Sequence, residues 1–145
     1  MSGIIVGVDG SGHSHRALEW AMTEAAIRQA PLTVITVAQT VMSHWGAIHY
    51  PEDTALTERT RQAIEEAIEK TQAKLGDTGP TSVTIEMVRG MPAEEILKAA
   101  RDADMIVVGS RGAGGFTRLL LGSVSTQLAQ HAPCPIVVIP SEDRG

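Results

Sequence analysis

Apolar residues in this chain follow two rhythms that alternate along its length. Ile4 to Val8 (IIVGV) is a short apolar run, the pattern of a strand buried on both faces. Ala17, Leu18, Ala21, Met22 and Ala25 then recur at helical spacing, with Ser11 or Ser14 available as a cap. Pro31 closes that helix region, and Leu32 to Ala38 (LTVITVA) is rich in strand-forming residues. Gln39 to Asp53, with Gly46 and Pro51, carries neither rhythm and reads as irregular. The helical spacing returns from Thr54 to Leu75 through Leu56, Ala63, Ile64, Ala67 and Ile68, and ends at Gly76 and Gly79-Pro80. Val83, Ile85 and Met87 alternate with polar neighbours as a third strand. Pro92, favoured in a first turn, opens a short helix that buries Ile96, Leu97 and Ala100. Met105 to Val108 predicts a fourth strand, Ser123 to His131 a fourth helix, and Ile136 to Ile139 a fifth strand.

The resulting order is β-α-β-α-β-α-β-α-β. Such alternation predicts an α/β fold: an open, five-stranded parallel sheet with helices on both faces and right-handed crossovers. The length of 145 residues fits one domain, with no internal repeat or linker to divide it. Open parallel sheets bind ligands at the carboxyl ends of their strands, where the strand order reverses.

The segment from Gly109 to Ser123, GSRGAGGFTRLLLGS, joins the fourth strand to the fourth helix. Its glycines let backbone N–H groups approach an anion, because no Cβ stands in the way. The helix start adds orphan N–H donors and the positive end of the helix dipole. Ser123 and Ser125 add hydroxyl donors. A phosphate chain is the natural occupant. Arg111 has two readings, a forked partner for a phosphate or a solvated surface arginine, and Arg118 has the same two. Phe116 and Leu119 to Leu121 form an apolar patch better explained by packing on a helix or a second subunit than by ligand contact.

The loop is not a Walker A motif, since no lysine follows Lys98, and Gly7, Gly10 and Gly12 do not give the dinucleotide fingerprint. It holds no Asp or Glu to act as a general base. Phosphate binding with slow hydrolysis at most is the expectation, so no catalytic residue is assigned.

The spacing G-x2-G-x9-G-S with its GSVS continuation, the opening IIVGVDGS, the segment RGMPAEEIL and the closing GSVSTQLAQHAPCPIVVIP resemble the ATP-binding branch of the universal stress protein family. The resemblance runs from Ile4 to Pro140. It implies an adenine nucleotide alpha hydrolase-like sheet of strand order 3-2-1-4-5, which sets the first and fourth strands side by side at the reversal. Asp9 and Gly109 then meet at one crevice. It implies that Asp9 and Gly7 contact the nucleoside, and that the Val37 backbone meets the adenine. The phosphate-side positions are Gly109, Arg111, Gly112, Gly122, Ser123, Val124 and Ser125. Read from the residues alone, Asp9 is equally a turn or helix cap, and Val37 equally ordinary core. The implied ligand is ATP, with Mg2+ as its companion ion, and AMP or cyclic AMP as the variant. The implied role is a stress-response nucleotide sensor; an ATPase or phosphotransferase in the same crevice, or a ligand-free interaction module, is the competitor. The resemblance also implies a homodimer built strand to strand through Ile136 to Ile139, an uncharged apolar run at a sheet edge.

Charge changes the list of partners. With 12 basic against 17 acidic residues, the net of −5 disfavours nucleic acid and membrane surfaces. No apolar stretch approaches the roughly 20 residues of a membrane span. Met1-Ser2-Gly3 runs straight into the first strand without a signal peptide, and the single Cys134 fits a reducing compartment, so a cytoplasmic protein is expected. Cys134 reads as a packed thiol. His13, His15, His44 and His49 lack zinc spacing and read as solvated, so no metal ligand is assigned. Trp45 and Tyr50 either cover the adenine or form a loop cluster. Glu65-Glu66 and Glu94-Glu95 are adjacent on helices, so their carboxylates diverge onto solvated faces.

Overall fold

A computed structural model describes residues 3–9, 14–39, 41–43, 46–48, 54–110 and 123–140. In chain order the elements are β1 (Ile4–Gly7), α1 (His15–Arg28), β2 (Leu32–Gln39), β3 (Val41–Ser43), β4 (Gly46–Ile48), α2 (Thr54–Leu75), β5 (Val83–Gly90), α3 (Pro92–Ala99), β6 (Met105–Gly109), α4 (Ser123–His131) and β7 (Ile136–Ile139). Five of these strands form one parallel sheet in the order β5-β2-β1-β6-β7. Counted among the sheet strands alone, this is the expected 3-2-1-4-5. The departure is β3 and β4, an antiparallel pair (Val41↔Ile48, Ser43↔Gly46) inside the segment expected to be irregular.

The period of two along each strand sorts the core into two layers. Ile4, Val6, Leu32, Val34, Met105, Val107 and Ile139 face one side, where α1 and α2 cover them. Ile5, Ile35, Ile106 and Val108 face the other side, under α3 and α4. The central strands are thus buried on both faces, which is why they read as unbroken apolar runs. On α1, Ala17, Ala21 and Ala25 are fully buried, and these small side chains let the helix lie close on the sheet beside Leu18 and Met22.

Helix ends depart from expectation in their chemistry. Ser14 stands at the N-cap of α1, but its backbone is already helical (φ −88°, ψ −8°) and its hydroxyl makes no cap hydrogen bond. Pro31 is not the stop: α1 ends at Gln29, a left-handed residue (φ 53°), after which the Ala30 N–H reaches back to the Ala25 carbonyl at 2.9 Å. Gly76 (φ 67°) ends α2 as expected, its N–H donating to the Gln72 carbonyl at 3.0 Å.

The two sheet edges differ. β5 alternates exposed Thr84, Glu86 and Arg89 with half-buried neighbours, a charged edge that discourages further pairing. β7 carries no charge, and Ile136, Val137 and Val138 are half-buried.

Candidate functional site

β1 and β6 pair as Ile4↔Met105, Ile5↔Ile106 and Val6↔Val107, so their carboxyl ends lie together at the strand-order reversal. After Gly7 the chain keeps one more sheet bond, Val8 N–H to the Ile35 carbonyl at 3.0 Å, and then releases Asp9, which is exposed. β6 leaves the sheet after Ser110 donates to the Ile139 carbonyl at 2.9 Å. Ser123 is the first residue of α4, which leads into the parallel strand β7. A helix in a parallel crossover runs against the strands, so its N-terminus lies at their carboxyl edge. Ser123 is exposed there, Val124 packs partly into the second core layer, and Ser125 is buried.

The structure therefore brings Gly7, Asp9, Val37 and Gly109 to one edge of the sheet, and adds the first turn of α4. Arg111, Gly112 and Gly122 lie outside the described residues, as do Arg118, the patch at Phe116 and Leu119 to Leu121, and His13, His44, Trp45, His49 and Tyr50. Val37 is half-buried against the second layer, in register with Val88 of β5. Its side chain belongs to the core.

Gly7 has a second duty that spacing did not reveal. A Cβ on it would lie 3.0 Å from Ile96 Cδ1 and 3.3 Å from Val108 Cγ1. The missing side chain lets α3 settle on the sheet beside the candidate crevice. Arg16, in the first turn of α1, donates through Nη1 to the Pro140 carbonyl at 2.9 Å. That contact ties the helix after Asp9 to the end of the strand that pairs with Gly109.

The expectation that Glu94 and Glu95 both lie on a solvated face holds for Glu94 alone. Glu94 is exposed, whereas the Glu95 side chain is 19% exposed and 3.2 Å from Lys98 Nζ. The i,i+3 Glu–Lys spacing was the available signal. Cys134 is half-buried at the amino end of β7, away from the crevice. Burial, with a smaller contribution from the Asp104 carboxylate, raises its thiol above the ordinary range, and a thiol held protonated is a weak nucleophile. Among the described residues, no three of His, Cys, Asp and Glu gather where they could hold a metal ion, and no helix is long and apolar enough to cross a membrane.

The model of the universal stress protein family matches residues 1–140. The chain belongs to the universal stress protein family. It is 38% identical over 143 residues to a universal stress protein of Mycobacterium tuberculosis, a match that covers 97% of this chain and 48% of that protein. The chain thus spans about half the length of the curated relatives it matches. Among solved structures, the universal stress protein UspA from Lactobacillus plantarum is 29% identical with a TM-score of 0.71, over 95% of this chain and 97% of that one. A universal stress protein crystallised in complex with cAMP is 26% identical with a TM-score of 0.67, over 96% of each chain.

Proposed function

We propose that this universal stress domain binds ATP, with the phosphates against Gly109 to Ser125 and the nucleoside beside Asp9, Gly7 and the Val37 backbone. The observation that carries the reading is the side-by-side placement of the β1 and β6 carboxyl ends, which sets Asp9 at the same edge as Gly109 and the first turn of α4. A carboxylate that accepts from sugar hydroxyls and an array of N–H and hydroxyl donors for phosphate then face one ligand from two sides.

The role is regulatory, with the nucleotide-bound form as the signal. The glycine loop has no Walker lysine and no carboxylate, so bound ATP turns over slowly or not at all. Mg2+, where present, is held mostly by phosphate oxygens, water and Ser123, since magnesium keeps much of its water shell. A second reading, AMP or cyclic AMP as the ligand, is favoured by the relative crystallised with cAMP. The many donors of the loop favour three phosphates.

The assembly is a homodimer through the uncharged β7 edge, and the location is the cytoplasm, with neither nucleic acid nor a membrane as partner. Native mass spectrometry of the purified protein tests ligand and assembly together. A dimer carrying an adenine nucleotide is expected; a ligand-free monomer contradicts both. Turnover above about 1 per second, within the ordinary enzyme range, replaces the regulatory role with a catalytic one.

A further inference from the structure

Met91 stands against two ordinary preferences. It is 44% exposed, one of two large apolar side chains so placed among the described residues, the other being Ile27 near the end of α1. It is also the N-cap residue of α3, extended at φ −94° and ψ 127°, with no side-chain cap hydrogen bond. Ser, Thr, Asp and Asn are preferred at that position, because a side-chain oxygen satisfies an orphan N–H of the first turn. The methionine forgoes the cap and leaves apolar surface in water.

Its place in the fold offers a use for that surface. β2 and β5 pair through Val37↔Val88 and Gln39↔Gly90, so Met91 leaves the sheet beside the end of β2, at the edge where Val37 and Asp9 stand. The turn that carries it is held firmly. The Glu95 N–H donates to the Met91 carbonyl at 3.0 Å, and Glu95 Oε2 fills the space a Cβ on Gly90 would need, 2.8 Å from it. Lys98 Nζ holds the same carboxylate at 3.2 Å. The backbone is fixed while the thioether side chain remains substantially in solvent.

We propose that Met91 covers the purine ring of the bound nucleotide. The inference rests on the nucleotide reading above and adds to it the residue that contacts the base. A polarizable, flexible thioether suits this task, since sulfur makes favourable contacts with aromatic rings and an unbranched side chain adapts to their shape. A base held this way is recognised independently of how many phosphates follow.

The test sets stability against affinity. Met91→Ser supplies the missing cap and removes the thioether, and Met91→Leu keeps the apolar cover. Melting of the ligand-free proteins and calorimetric titrations with ATP and AMP are compared with the unmutated chain and with Gly122→Asp. Met91→Ser is expected to raise the melting temperature by about 3 °C. It is expected to weaken ATP and AMP by the same factor, about three- to tenfold, while Met91→Leu retains most of the affinity. Unchanged affinity in Met91→Ser, with binding lost in Gly122→Asp, overturns the role of Met91 and leaves the nucleotide reading standing. A loss confined to ATP also overturns it, because it places the effect at the phosphates. If the unmutated chain binds neither nucleotide, the nucleotide reading falls and this inference falls with it.

Discussion

Replacing Gly7 by alanine places a methyl group in a space the fold has already filled. The new Cβ would sit 3.0 Å from Ile96 Cδ1 and 3.3 Å from Val108 Cγ1. Both distances are shorter than relaxed carbon–carbon contact near 3.5–4.0 Å. Ile96 is 4% exposed and Val108 5% exposed, so neither side chain can turn out into solvent. Ile96 Cδ1 is the end of a flexible side chain, so the clash is relieved by a local shift of α3. Overpacking of this kind costs about 1–3 kcal/mol, and the lower half of that range applies to a terminal methyl. For a chain of this size, about 1–2 kcal/mol lowers the melting temperature by roughly 3–8 °C. The decisive assay is a double-mutant cycle with Ile96→Val, which deletes the clashing Cδ1. Alone, Ile96→Val costs about 0.5–1.5 kcal/mol. Together the two substitutions should be less destabilising than their sum by about 1 kcal/mol, read from urea midpoints at constant slope. Strict additivity would refute the packing explanation. If Gly7→Ala/Ile96→Val then binds ATP like the unmutated chain, Gly7 serves the site through α3 rather than through its own contact.

Further outcomes follow from other parts of the fold. On the proposed reading, Asp9→Ala removes one or two hydrogen bonds to the nucleoside, so ATP binding by calorimetry should weaken roughly tenfold in a variant that still folds; unchanged affinity together with a sharp fall in the ligand-free melting temperature favours a capping role instead. Val138→Lys charges the apolar β7 edge, and Val138→Pro removes a ladder donor, so light scattering at tens of micromolar should show dissociation towards monomer; a monomeric mass for the unmutated chain refutes the edge-strand dimer. The raised thiol of Cys134 should react slowly with a thiol reagent near neutral pH, and the rate should climb as pH rises past the ordinary thiol range; Asp104→Asn should speed it modestly by removing the carboxylate.

The sheet was legible because its central strands are buried on both faces. Ile4 to Val8 and Met105 to Val108 could hardly be surface segments, and the helices between them carried clear apolar stripes. Their boundaries held within one residue at Gln39 and Gly109, and Pro92 and Gly76 marked helix ends through chemistry that sequence displays directly. The β3–β4 pair is not legible in the sequence because three-residue strands offer too little alternation. The end of α1 at Gln29 is not legible in the sequence, because a left-handed glutamine leaves no compositional mark. At the candidate site, Asp9 and Gly109 were placed at one edge by topology and family resemblance together. The packing role of Gly7 depends on how closely Ile96 approaches, and the exposure of Met91 depends on where α3 begins. Both are tertiary facts that no spacing along the chain encodes.

The most direct test is calorimetric titration of ATP into the unmutated chain and into Gly122→Asp, with folding of the variant verified by its melting curve. Gly122 comes directly before α4 in the sequence, so on the proposed reading its replacement by aspartate sets a carboxylate and a Cβ against the phosphates. Micromolar-range binding by the unmutated chain, abolished in a folded Gly122→Asp, is the predicted result. Equal affinity in the two proteins would contradict the assignment of the glycine loop as the phosphate site.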